Sequence, residues 1–151
     1  GLSRSTRRRE LAAELAAQRA TTGDLLRIEQ AFARLDAAYL GNDRSAQVAA
    51  DVAFHLTVAE SAHNVLFGHL VSSVLRLLHE QVRRNLSEMA VSPETARQLM
   101  AQHLAIRNAI RDRQPEQARL AAQTHISFVR QRLSEAARSE KRQQRSLRRS
   151  G

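Results

Sequence analysis

The chain contains no cysteine, no tryptophan, two prolines, five glycines and only 3% aromatic residues. Without cysteine there is no disulfide, no thiolate metal site and no cysteine nucleophile, and the chain suits a reducing compartment. With so few helix-breaking residues and abundant Ala, Leu, Arg, Gln and Glu, helix is favoured almost throughout, so the expected fold class is all-α. No apolar run approaches the roughly 20 residues of a membrane-crossing helix, and no signal-peptide pattern opens the chain. A cytoplasmic protein with no membrane partner is expected. Its 151 residues, 42% hydrophobic, suffice for one domain with a single core.

Acidic residues are outnumbered, giving a net charge of +9, but the excess sits at the ends. Residues 1–9 carry four Arg and no acid, and residues 138–151 carry five Arg, Lys141 and only Glu140 in opposition. The stretch between 10 and 136 is neutral, with 14 basic and 14 acidic side chains. A broad phosphate-binding face on the folded body is therefore not expected. The basic ends read first as solvated helix termini and second as DNA contacts.

Apolar spacing predicts six helices joined by short connections, an antiparallel bundle with one closed interior. The first runs from Arg7 to Ala20 and the second, capped by Thr21 or Thr22, to about Leu40 with Leu25, Ile28, Phe32 and Leu35 inward. The third covers Ser45 to Ala62, and its buried stripe includes Asp51 and His55. Asn64 caps a fourth, Val65 to about Met89, on whose apolar face Gln81 and Asn85 intrude. Ser92-Pro93-Glu94 starts the fifth, with His103 in mid-face and Arg107 one turn on. Gln114-Pro115-Glu116 opens the sixth, with His125 inward, and past Leu133 the apolar stripe fades into Arg-rich sequence expected to fray.

Asp51, His55, His103 and His125 thus place polar ligands where core residues belong. Buried carboxylates and imidazoles are costly unless paired, hydrogen-bonded or metal-bound. Asp51 and His55 stand one helical turn apart, able to hold one ion from the same side. Three imidazoles and a carboxylate suit a divalent transition metal such as Zn²⁺, Ni²⁺, Mn²⁺ or Fe²⁺. The competing reading is that the three histidines are separately hydrogen-bonded and Asp51 pairs with an arginine. His63, His69 and His79 fall at a cap or on more polar faces.

The run Asp51-Val-Ala-Phe-His55-Leu-Thr-Val-Ala-Glu-Ser-Ala-His63-Asn64, then His103-x₂-Ile106-x₂-Ala109-Ile110, then Glu116-Gln-Ala118-Arg-x₅-His125, resembles the FadR-type C-terminal (FCD) domain. That domain is the effector-binding part of bacterial GntR-family transcription regulators. The resemblance extends from Ala16-Ala-Gln-Arg-Ala-Thr21 onward. Gln81-Val-Arg-Arg-Asn85 and Arg145-Ser-Leu-Arg-Arg149 are most similar to the pyruvate- and lactate-responsive branch. It implies a bundle of six to seven helices in which Asp51, His55, His103 and His125 hold a divalent metal, zinc first, beside a small carboxylate effector. It implies a homodimer whose DNA contacts belong to an N-terminal winged helix-turn-helix. The chain opens directly on its first helix, so that half is expected to be missing. Residues 1–137 would form the effector domain and 138–151 a basic helical extension or tail.

The family's first helix commonly bears Arg four residues before Glu, whereas here Thr6 stands four before Glu10 and the arginines are Arg7, Arg8 and Arg9. Arg107 is accordingly the candidate for the effector carboxylate, against an arginine snorkelling at the bundle rim. Gln81 and Asn85 are candidates for an effector hydroxyl or keto oxygen, against local backbone or water bonds. The expected mechanism is a sensor rather than an enzyme: effector binding closes helices and reorients the DNA-binding domains of a dimer. A metal-dependent hydrolase needs a positioned general base, and Glu60 lies five residues beyond His55, off the ligand stripe. A helical interaction module with basic arms is the third reading, and it needs no stoichiometric ion.

Overall fold

The computed structural model describes residues 4–64, 73, 76–77 and 91–149. Among them the long elements are all helices: α1 (Arg4–Arg19), α2 (Thr22–Leu40), α3 (Arg44–Ser61), α4 (Pro93–Arg111) and α5 (Pro115–Arg149). The all-α class is confirmed, with five helices where six to seven are expected. The helix expected from Val65 to Met89 falls largely outside the described residues, and Gln81, Asn85, His69 and His79 lie outside them altogether. No helix among the described residues is long and apolar enough to cross a membrane.

Local chemistry sets each boundary. Thr21 and Asp24 form a capping box in which the Thr21 hydroxyl accepts from the Asp24 N–H and the Asp24 carboxylate accepts from the Thr21 N–H at 2.8 Å. Asp43 caps α3 by accepting from the Ala46 N–H, and Ser92 caps α4 by accepting from the Thr95 N–H ahead of Pro93. Arg113, at φ 54°, makes the left-handed turn that separates α4 from α5. There the Gln114 and Arg113 N–H groups return to the carbonyls of Ala109 and Ile110.

The short connections fold α2 back along α3 and α4 back along α5. α1 packs across α3, α4 and α5 and not along α2, although only two residues separate them. Small side chains permit this close crossing: Ala12, Ala13, Ala16, Ala17 and Ala20 are all buried. The core they join contains Ile28, Leu35, Phe54, Ile106 and Ile110. Each of these large side chains contributes about 1.5–3 kcal/mol when fully buried. Past Leu133, where a helical extension or a tail is expected, the described residues are helical. α5 continues as one helix to Arg149 although residues 131–149 are almost all exposed. Ala, Arg, Gln, Glu and Leu dominate there and neither Gly nor Pro interrupts, so intrinsic propensity sustains what packing does not.

Candidate metal centre

Helical periodicity turns Asp51 and His55 of α3, His103 of α4 and His125 of α5 toward one point, where one ligand atom from each lies within 4.8 Å of the others. His103 Nε2 is 2.8 Å and His55 Nε2 3.2 Å from Asp51 Oδ1. His55 Nε2 is 3.1 Å from His125 Nε2. The surroundings are largely apolar and aromatic: Phe54 sets its ring edgewise against His55 and His103, with centroids 5.4 and 5.5 Å away. The rings of His55 and His125 stack at 5.0 Å.

Proton accounting tests whether these residues fit a cation. Gln102 Oε1 lies 2.8 Å from His125 Nδ1, so that nitrogen donates and His125 Nε2 is left as an acceptor aimed inward. It faces His55 Nε2, which also faces the Asp51 carboxylate. His103 is fully buried, and despite its proximity to Asp51 neither ring nitrogen makes a properly directed hydrogen bond; Asp51 Oδ1 is likewise buried without one. Asp51 Oδ1, His125 Nε2 and a buried imidazole without hydrogen bonds therefore meet at one point, an arrangement costly by itself and relieved by a positive ion. Metal–ligand bonds of about 2.0–2.2 Å place adjacent ligands about 3 Å apart, the spacing of the His103–Asp51, His55–Asp51 and His55–His125 pairs. The donor set, three imidazoles and a carboxylate, fits a divalent transition metal.

The electrostatics of His55, His125 and Asp51 favour the forms that bind a metal. Burial lowers the pKa of His55 against the opposing pull of Asp51. Burial, followed by the neighbouring imidazoles, holds His125 well below its ordinary value. For Asp51, burial favours the protonated acid, but His103 and then His55 outweigh it and keep the carboxyl well below the usual range. Neutral His55 and His125 beside an ionised Asp51 suit metal binding.

Three contributors escaped the sequence reading. Gln102 fixes the His125 tautomer. Arg9 of α1 is partly buried, which lowers its pKa, while Asp51 acts on it in the opposite sense, placing a permanent cation within electrostatic reach of the cluster. Tyr39 has its ring 6.4 Å from that of His103, and its hydroxyl is pushed up to about 12 by burial and then by Asp51, with Arg44 opposing. Arg9 had a readable signal: it stands four residues before Ala13 on the side of α1 that buries Ala13, Ala16, Ala17 and Ala20.

Arg107 is held elsewhere. Its Nη1 donates to both carboxylate oxygens of Glu29 at 2.9 Å, and its guanidinium lies 4.6 Å above the Phe32 ring. With Glu29, Leu25 and Arg111 it lines a surface groove of about 420 Å³ between α2 and α4. An effector carboxylate would have to displace Glu29 to use it.

Comparison with known proteins adds an independent line. The family model described as the FCD domain matches residues 10–128. The chain is 35% identical over 114 residues to a protein of Escherichia coli (strain K12) provisionally named an L-lactate dehydrogenase operon regulatory protein, a match covering 76% of this chain and 43% of that protein. It is 34% identical over 123 residues to the HTH-type transcriptional regulator LutR of Bacillus subtilis (strain 168), covering 81% of this chain and 55% of that protein. Among solved structures, Streptococcus agalactiae GntR matches with a TM-score of 0.67 at 26% identity, covering 81% of this chain and 52% of that one. The chain thus spans about half the length of the curated relatives it matches.

Proposed function

This chain belongs to the FCD domain family of GntR-type regulators, and on that premise we propose that it is a metal-dependent sensor of a small 2-hydroxy or 2-keto carboxylate. Lactate and pyruvate are the first candidates, since the operon in the name of one relative concerns L-lactate. The observation that carries this reading is the convergence of Asp51, His55, His103 and His125 within 4.8 Å, with His103 buried and lacking a hydrogen bond. We assign these four residues as ligands and zinc as the first candidate ion. Bound there, a divalent ion supplies coordination positions for the effector's carboxylate and 2-oxygen.

The protein's own groups do the rest. Gln102 orients His125, Phe54 keeps water from one side of the cluster, and the Arg9 guanidinium meets the effector carboxylate. The charge interaction of Arg9 with Asp51 makes it the stronger candidate than Arg107, whose Nη1 is already held by both oxygens of Glu29. Gln81 and Asn85 are assigned to the effector's 2-oxygen. Effector affinity that differs between two arrangements of the bundle shifts a homodimeric cytoplasmic regulator between DNA-binding states, with operator recognition in a further winged helix-turn-helix domain.

A hydrolytic role draws no support from the site. Glu60 is exposed, and the relatives are transcription regulators. Elemental analysis of protein purified without chelator or nickel resin, followed by isothermal titration with lactate, pyruvate and citrate, tests the sensor. About one ion per chain and a saturable heat with at least one acid are expected. A metal-loaded protein that gives no heat with any of them sinks the effector reading, and absence of stoichiometric metal sinks the centre itself.

A further inference from the structure

The end of α5 leaves the bundle as a continuous helical arm. Its root is fixed by buried Ala118, Ala122, His125 and Ile126, while residues 137–149 are all exposed. In this arm Arg138, Lys141, Arg142, Arg145, Arg148 and Arg149 recur at intervals of three and four. At 100° per residue they fall within an arc of about 120°, and Glu140 falls outside it. Among the described residues none of the six forms an ion pair, whereas Arg132, on another face, lies 3.9 Å from Glu135. Like charges at these spacings destabilise a helix, so an unneutralised stripe is a cost that scattered charges would avoid.

We propose that this stripe is a DNA-contact surface that grips the phosphate backbone of a duplex without reading its sequence. Six cations spread along about 16 Å of helix match about five phosphates along one strand. The helix continues unbroken from the bundle, so the stripe is presented in a fixed direction with little ordering cost on binding. Self-association is disfavoured because Leu133 and Leu147 are the arm's large apolar side chains and Glu140 stands at the heptad position between them, too little for a seam. The same sparseness argues against lying in a lipid interface, which needs a continuous apolar face. Choosing a DNA duplex as the polyanion rests on the regulator reading; the stripe itself does not. The proposal revises the expectation that DNA is touched only through a separate N-terminal domain.

Fluorescence anisotropy with a labelled duplex of arbitrary sequence tests it on the full chain. Binding at low salt is expected, with log affinity falling linearly against log salt. Neutralising four of the arginines (Arg138→Gln, Arg142→Gln, Arg145→Gln, Arg149→Gln) is expected to weaken binding at least about tenfold and to reduce the salt slope by about 3 to 4. A second variant keeps composition and charge but breaks the one-sidedness: Arg142→Gln, Gln143→Arg, Gln144→Arg, Arg145→Gln. It is expected to lose about fivefold or more, since fewer cations reach the same strand. Circular dichroism confirms that both variants stay folded, and Arg7→Gln with Arg8→Gln serves as a control expected to change affinity less than about twofold. Unchanged binding by the rearranged variant, an equal loss in the control, or tighter binding to phosphatidylserine vesicles than to duplex each overturns the proposal. All three outcomes leave the metal and effector tests untouched.

Discussion

Gln102 and His103 are neighbours on α4, yet they serve the same centre from two distances: His103 Nε2 lies 2.8 Å from Asp51, and Gln102 Oε1 lies 2.8 Å from the far nitrogen of His125. The glutamine decides which nitrogen of His125 carries the proton, and so which is free to bind. Such supporting hydrogen bonds are worth about 10–100-fold in metal affinity. If the proposed centre holds zinc, Gln102→Leu is therefore expected to weaken its binding by about that factor while sparing the fold. Competition with a chromophoric chelator measures it, and an unchanged dissociation constant would show that the tautomer is set by other means.

Metal removal should also be felt as lost stability. A cluster with buried acceptors and a buried imidazole lacking hydrogen bonds is unfavourable without a cation, and a ligand present at a thousand times its dissociation constant stabilises by about 4 kcal/mol. For a chain of this size that corresponds to a fall in Tm of about 8–16 °C on chelation. His103→Ala should abolish the difference between chelated and metal-loaded samples. A Tm indifferent to chelator in the unmutated chain would contradict the assignment of these four residues as ligands.

The convergence of Asp51, His55, His103 and His125 was legible because helical spacing is rigid: Asp51 and His55 fall on one turn, and His103 and His125 sit in the middle of apolar faces. Gln102 was not, because it lies 100° away from His103 and reaches the centre only through a long side chain that periodicity does not constrain. Arg9 was obscured by standing third in a run of arginines, each pointing in a different direction. Its choice follows from which side of α1 buries its alanines. The length of α5 was masked by reading order from the apolar stripe, whereas residue propensity alone carries the helix to Arg149. The crossing of α1 over α3, α4 and α5 depends on small-residue packing that no local pattern encodes.

Acid stability should report on Asp24. This nearly buried carboxylate caps α2, accepts from the Thr21 N–H, and pairs with Arg27 and with His63, joining the start of α2 to the end of α3. Burial favours its neutral form, but the bonds from Thr21, His63 and Arg27 outweigh that and hold it far below the usual carboxylate range. A depressed folded-state pKa contributes stability that is fully present above the unfolded value of about 3.9 and is lost as pH falls toward the folded one. Asp24→Asn is expected to cost about 1–3 kcal/mol at neutral pH, with the gap to the parent chain narrowing below about pH 4. Urea denaturation of both proteins across this range measures it, and a gap that stays constant from neutral pH to pH 3 would refute the linkage.

Arg9 provides the sharpest separation between metal and effector. Its guanidinium remains charged at any pH the fold survives, and it interacts electrostatically with Asp51 without belonging to the proposed ligand set. Replacing it with Gln removes the proposed grip on the effector carboxylate but leaves the four proposed metal ligands in place. A charge-assisted pair of this kind contributes about 1.5–3 kcal/mol, so effector affinity should fall by about 10- to 150-fold while zinc content stays at one ion per chain. Arg107→Gln, by contrast, breaks the pair with Glu29 and should alter stability more than effector affinity. Isothermal titration of both metal-loaded variants decides between them: if Arg107→Gln loses the effector and Arg9→Gln does not, the carboxylate is held from the α2–α4 groove and not from α1.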